Sequence, residues 1–172
     1  MRAALTGQTT YYIVVDGYST NSKGTFTIDV EQAPPPPAND TCAGAVALSV
    51  GTTATGDTNS AVNDYTTLGG GACYAYSNNH GAANDVVYSF TPAGDGQYTF
   101  TLTSTDGNLT DYMISVVDSC PSAPIDTCVA GAEDYGDVSF AVSLTGGTPY
   151  FVIVDGYGSS DNGAFTLDVT GP

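Results

Sequence analysis

The feature that most constrains this chain is a segment that occurs twice. Leu5 to Val30 reads LTGQTTYYIVVDGYSTNSKGTFTIDV, and Leu144 to Val169 reads LTGGTPYFVIVDGYGSSDNGAFTLDV. The two align without a gap at an offset of 139 residues, with 14 of 26 positions identical. A repeat at that spacing implies a unit of domain size, present once in full and once as a fragment. The expected organisation is a partial repeat over 1–32, a Pro-rich linker over 33–38 and a complete module over 39–172. Pro34 to Pro37 favours polyproline II and acts as a stiff spacer.

Within the repeat, Phe26, Ile28 and Val30 alternate with Thr27 and Asp29, which gives one buried face. Tyr11 to Val15 is a second apolar run, and Asp16 to Lys23 between them has the Gly, Ser, Asn and Asp content of a loop. The fragment therefore reads as a terminal β-hairpin, which is marginal alone in water. Its inward set, Tyr11, Ile13, Val15, Phe26, Ile28 and Val30, needs a cover, from an adjacent repeat or from a neighbouring copy by strand addition.

The same period-two pattern runs through the module. Val86, Tyr88 and Phe90 alternate; so do Tyr98, Phe100 and Leu102, then Tyr112, Ile114 and Val116, then Val138, Phe140, Val142 and Leu144. Pro149 to Val154 is apolar on both faces, as a central strand would be, and Ala164 to Val169 closes the unit. Ala43 to Val50 reads as a turn of helix or an edge strand. Gly51 to Gly81 reads as a long excursion with one short strand near Ala54 to Thr58. No stretch keeps helical periodicity beyond two turns. The expected fold is all-β, an antiparallel β-sandwich of jelly-roll or immunoglobulin-like type, with six to nine strands and the extra N-terminal hairpin.

Charge narrows the function. The formal net charge is −16, and from Ala38 to Pro172 fifteen carboxylates face no Lys or Arg. They must meet water or a bound cation, since no cationic side chain is there to pair with them. Nucleic acid is excluded as a partner and anionic membrane disfavoured by the same sign. No apolar run approaches the ~20 residues of a membrane span, so no membrane insertion is expected.

Cys42, Cys73, Cys120 and Cys128 lack CxxC spacing and suit disulfides, which implies an oxidising, extracellular or cell-surface location. Of three connectivities, Cys120–Cys128 across a short Pro-containing loop is favoured, leaving Cys42–Cys73. Asn39-Asp-Thr41 and Asn108-Leu-Thr110 are sequons compatible with export.

Catalytic patterns do not assemble. His80 is the only histidine and would have to serve any Ser-His-Asp triad, yet no GxSxG elbow accompanies it. HExxH and phosphate-binding glycine loops are absent. The expectation is that the chain is not an enzyme. Oxygen-rich clusters are more informative: Asn39-Asp40, Asp57, Asn63-Asp64 and Asn84-Asp85 could supply calcium ligands or act as turns and caps. Asp155-Gly156-Tyr157 and its twin Asp16-Gly17-Tyr18 could be ligands too, or turns in which Gly supplies a positive φ.

Taken in order, NDTCAGAVAL, GDT, NDY, NDVVYSFTP, GQYTFTLTS, DSC and LTGGTPYFVIVDGY…GAFTLDV resemble the bacterial pre-peptidase C-terminal domain over Asn39 to Val169, and in part over Leu5 to Val30. The resemblance implies a secreted β-sandwich accessory module and a calcium site near the module's start. That site maps onto Asn39, Asp40 and Asp85, and further onto Asp57 and Asp64. Two functions follow as expectations. One is a non-catalytic structural or adhesive module of a secreted tandem-repeat protein, assembling with copies or adjacent repeats, as a fibre subunit would. The other is an accessory domain that targets a secreted hydrolase to an extracellular polymer.

Overall fold

The computed structural model describes residues 5–66, 73, 81–106, 111–121, 125 and 128–172. His80 and the Asn108 sequon lie outside the described residues. The chain divides into two compact units, Met1–Pro34 and Pro35–Pro172.

The second unit is a two-sheet sandwich. Its strands are β1 (Val46–Ala47), β2 (Ala54–Asp57), β3 (Val86–Phe90), β4 (Gly96–Ser104), β5 (Asp111–Val117), β6 (Ala130–Tyr135), β7 (Val138–Leu144), β8 (Tyr150–Gly156) and β9 (Ala164–Thr170). A single 3₁₀ turn, Cys42–Gly44, precedes β1. One sheet has the order β1-β3-β8-β5-β6, the other β2-β9-β4-β7. All pairings are antiparallel except the short parallel contact of β1 with β3. The fold is therefore the expected β-sandwich, with one parallel edge.

Alternation explains the core. The inward residues Tyr98, Phe100 and Leu102 of β4 and Phe165, Leu167 and Val169 of β9 meet Val86, Tyr88 and Phe90 of β3 and Val152 and Val154 of β8. Phe90 packs edge-on against Tyr98 and Phe100 at ring-centroid distances of 5.2 and 5.6 Å, and Tyr112 against Phe165 at 5.9 Å. These are the favoured aromatic geometries. Burying each such side chain stabilises the fold by roughly 1.5–3 kcal/mol.

The five-stranded sheet is covered on its other face as well. Val87, Met113, Val117 and Ile153 point outward from β3, β5 and β8 and are buried by Tyr65, Cys73 and Ile125. This is why β5 is apolar on both faces rather than the one expected. Tyr65 and Cys73 of the segment after β2, with Ile125, form this cover, and the Ile125 amide donates to the Thr66 carbonyl at 2.8 Å.

Two disulfides fasten that layer, and their connectivity differs from the expected one. Cys42 is bonded to Cys120 and Cys73 to Cys128, with Cα separations of 6.0 and 5.2 Å. Cys120 and Cys128 flank the connection from β5 to β6, and each reaches across to a different covering segment. Proximity in sequence misled here, because sheet stacking sets which Cβ atoms face each other. Gly131 on β6 permits the approach: a Cβ there would lie 2.5 Å from the Cys73 carbonyl oxygen and 3.0 Å from that of Ile114. Both are backbone atoms and cannot swing aside. Gly131→Ala should lower stability by about 1–3 kcal/mol, read as a fall in Tm, with the β-sheet circular dichroism retained.

The first unit corrects the expected hairpin. Its counterpart strands β8 and β9 are not paired with each other; they lie in opposite sheets, β8 between β3 and β5, β9 between β2 and β4. The repeated segment is an arch that crosses between sheets. In residues 5–34 neither arm has a strand partner. The matched side chains differ accordingly: Phe26 is 64% exposed and Val30 74%, against 1% for each of Phe165 and Val169.

The arch nevertheless keeps its local bonds. The Thr6 amide donates to the Tyr11 hydroxyl at 2.9 Å, as Thr145 does to Tyr150 at 3.2 Å. The Ser22 amide donates to the Ser19 carbonyl at 2.9 Å, as Asp161 does to Gly158 at 2.8 Å. Gln8 has φ 62° where Gly147 has φ 73°. A non-glycine residue adopts that region only under local constraint.

Candidate functional site

The start of the module folds against β3 at Val87, and Asp40 and Asp64 lie close enough to Asp85, and Asp85 to Asp155, for their charges to interact. The Asn39 carbonyl accepts from the Val87 amide at 2.8 Å, and its side-chain amide donates to the Val87 carbonyl at 3.3 Å, which seats the first residues beside β3. Asp40 Oδ1 accepts from the Val62 amide at 2.7 Å. The excursion is thus held at both Asp40 and the Asp85 amide, which donates to the Val62 carbonyl at 3.3 Å.

Asp85, just before β3, is fully buried. Its Oδ2 accepts from the Asp64 and Tyr65 amides at 2.8 and 2.9 Å, while Oδ1 has no hydrogen-bond partner among the described residues. Burial pushes its carboxyl up to about 7, and the Asp64 and Asp40 charges add to the rise against the pull of the two amides. Asp64 is itself raised, first by burial and then by Asp40.

Asp155, at the end of β8, is also buried. Its Oδ1 accepts from the Gly156 amide at 2.6 Å, and Oδ2 has no partner among the described residues. Burial raises its carboxyl well above the ordinary range, and the Asp85 charge raises it further; hydrogen bonds from Gly156 and Ala83 act the other way. Gly156 is not at positive φ. It is glycine because a Cβ there would run into the Asp161 carbonyl and the Ala83 methyl group.

Of the five residues expected as ligands, Asn39, Asp40, Asp64 and Asp85 gather at this corner. Asp57 stands apart on β2 in the other sheet, exposed, with Oδ1 accepting from the Asn59 amide at 2.7 Å in a tight turn. Asp155 is the group that sequence reasoning left undecided, and its burial at the end of a central strand is what marks it. Two buried carboxylates, each with an unpartnered oxygen, suit a hard cation with oxygen ligands. Among the described residues no three carboxylate, thiol or imidazole groups converge on one point. Asp85 and Asp155 are the two carboxylates here that each leave a buried oxygen without a hydrogen-bond partner among the described residues. Among the described residues no helix is long and apolar enough to cross a membrane.

No family model matches the chain, and no curated protein matches it. Among solved structures the chain is similar to the pre-peptidase C-terminal domain of collagenase from Bacillus anthracis, at 16% identity over 73% of this chain and 94% of that one, with a TM-score of 0.47. It is also similar to PliG, a periplasmic inhibitor of g-type lysozyme from Aeromonas hydrophila, at 10% identity over 74% and 96% of the two chains, TM-score 0.44. A third likeness is to the K1 cleaved adhesin domain of Lys-gingipain from Porphyromonas gingivalis W83, at 14% identity, 70% and 89% coverage and TM-score 0.35. The first is of the kind that the order of sequence motifs resembles.

Proposed function

We propose that this chain is a non-catalytic structural and adhesive module of a secreted tandem-repeat protein. The observation that carries the reading is the second copy of the β8–β9 arch, joined by Pro34–Pro37 to a complete sandwich. A chain that repeats a module's closing element beside a whole module has the layout of an array. Two disulfides closing loops of the outer layer support an extracellular location, where such bonds persist.

The contact surface in this reading is the outer face of the four-stranded sheet. Thr99, Thr101 and Thr103 of β4 stand in register with Thr170, Asp168 and Thr166 of β9, and Thr101 is hydrogen bonded to Ser139 of β7 at 3.0 Å. Rows of hydroxyls without a basic group suit a neutral, hydroxyl- or amide-rich polymer better than an anionic one. A calcium ion at Asp85 and Asp155, with Asp40 and Asp64 nearby, belongs to the same reading. It would lock the module's start against β3 and β8.

The test is co-sedimentation of the purified chain with insoluble collagen, chitin and cellulose, combined with the intact mass of native material. The reading predicts retention on one polymer, reduced several-fold by Thr101→Lys, and native chains built of repeated modules. A native chain with a single module behind a hydrolase domain would favour a targeting domain instead. Turnover of a peptide or glycoside substrate that is lost in His80→Ala would contradict a non-catalytic role.

A further inference from the structure

The arch at residues 5–30 has a definite geometric requirement. In the complete module β8 is hydrogen bonded along both edges, to β3 and β5, and β9 along both edges, to β2 and β4. One arm of the arch therefore fills a gap in one sheet while the other fills a gap in the facing sheet. Addition to the edge of a single sheet would satisfy only one arm and leave the other's apolar face in water.

Counting arches limits the partner. The chain holds two arches and one sandwich body, and the single slot in that body is filled by residues 144–169. A second natively folded copy offers no open slot either. Copies of this chain alone would always leave one arch each uncovered.

We propose that residues 5–30 close a second sandwich, whose seven-strand body, equivalent to residues 35–143, precedes Leu5 in the same polypeptide. The proposal rests on the tandem-repeat reading and specifies what covers the arch. The complete module shows the connection required: β7 ends at Leu144 and β8 begins at Tyr150, so five residues join body to arch. A body tethered that closely docks as an intramolecular event.

The buried positions are compatible with exchange. Val15, Phe26 and Val30 are identical to Val154, Phe165 and Val169. Ile13 replaces Val152 and Val14 replaces Ile153, so a methylene gained on one face of β8 is lost on the other. Ile28 for Leu167 conserves volume. Such swaps are the best tolerated in cores. The shared turn bonds and the matching positive φ of Gln8 and Gly147 mean that the arch is already shaped for the slot.

The experiment places residues 35–143 directly before Leu5 of the full chain and follows amide hydrogen exchange. Protection at 11–15 and 26–30 should rise at least about 100-fold over the unfused chain, towards the level at 150–154 and 165–169. No gain at 11–15 and 26–30, with 150–154 still protected, would overturn the proposal. A second variant keeps the test independent of the added body: the full chain with residues 144–169 replaced by the sequence of 5–30. It should unfold cooperatively, and loss of cooperative folding would also overturn the proposal. Protection of 11–15 in the unfused chain that grows with concentration would mean that another copy supplies the cover, against the same-chain source. The tandem reading itself is judged separately, by native mass: a long array whose 11–15 amides stay unprotected sinks only the present proposal.

Discussion

Cys73→Ala combined with Cys128→Ala should lower the stability of the sandwich by about 2–5 kcal/mol. The bridge closes a loop of separation 55, and its companion Cys42–Cys120 one of 78. Long loops carry the greater entropy of closure in the unfolded chain. The Cys73 bridge also fixes the layer that covers Met113, Val117, Val87 and Ile153. Without it those side chains gain access to water, so binding of a hydrophobic dye should rise along with the fall in Tm. Cys42→Ala with Cys120→Ala should lower Tm similarly. The two double variants separate the connectivities cleanly. Each removes one bridge and leaves the other whole, whereas the Cys42–Cys73 and Cys120–Cys128 pairing would leave two lone thiols in either variant. Thiol titration of the unfolded proteins gives none in the first case and two in the second.

In cation-free buffer, raising the pH from about 5.5 to about 7.5 should lower Tm, against the usual behaviour of carboxylates paired in the native state. The folded Asp85 carboxyl is lifted from its ordinary value of 3.8 to about 7, first by burial and then by neighbouring carboxylates. The unfolded group has lost its proton throughout this range. The folded state therefore binds more protons than the unfolded one, and stability falls as the pH rises towards the folded value. A shift of this size sets a ceiling of roughly 4 kcal/mol, and Asp155 moves in the same direction. On the proposed calcium reading, millimolar calcium should reverse the slope, because a cation bound to the ionised pair in the folded state alone would add roughly 2.7 kcal/mol at about 100 times Kd. Asp85→Asn should be more stable than the parent in chelator at pH 7.5, by about 1–3 kcal/mol, and indifferent to calcium. A parent protein whose melt is unchanged by both chelator and pH would remove the cation from the account.

Much of this architecture was legible from residue pattern. β3, β4, β5, β7, β8 and β9 fall where Val, Ile, Phe and Tyr recur with period two, or continuously for the central β8. β6 was not, because Ala130-Gly-Ala-Glu-Asp-Tyr135 has no β-branched residue and no alternation. It is a strand through pairing with β5, with register Ile114 to Ala132. The arch was misread as a hairpin because periodicity reports which residues are buried, not which strand lies alongside. The loop of Asp16 to Lys23 has the composition of either connection. The acidic corner was partly visible. Asn39, Asp40, Asp64 and Asp85 stand in Asx clusters that signal turns as readily as ligands, and only burial distinguishes Asp85 from Asp57. Asp155 is invisible as a buried acid in sequence, since its twin Asp16 sits in the same DGY motif and is exposed.

One segment sits in two environments, and hydrogen exchange on the unfused chain at low concentration reads both directly. Amides of 150–156 and 164–170 should exchange only through global unfolding, while those of 11–15 and 26–30 exchange at close to the rate of an unstructured peptide. Equal protection of the two copies in that dilute chain would contradict the claim that the first lacks its sheets.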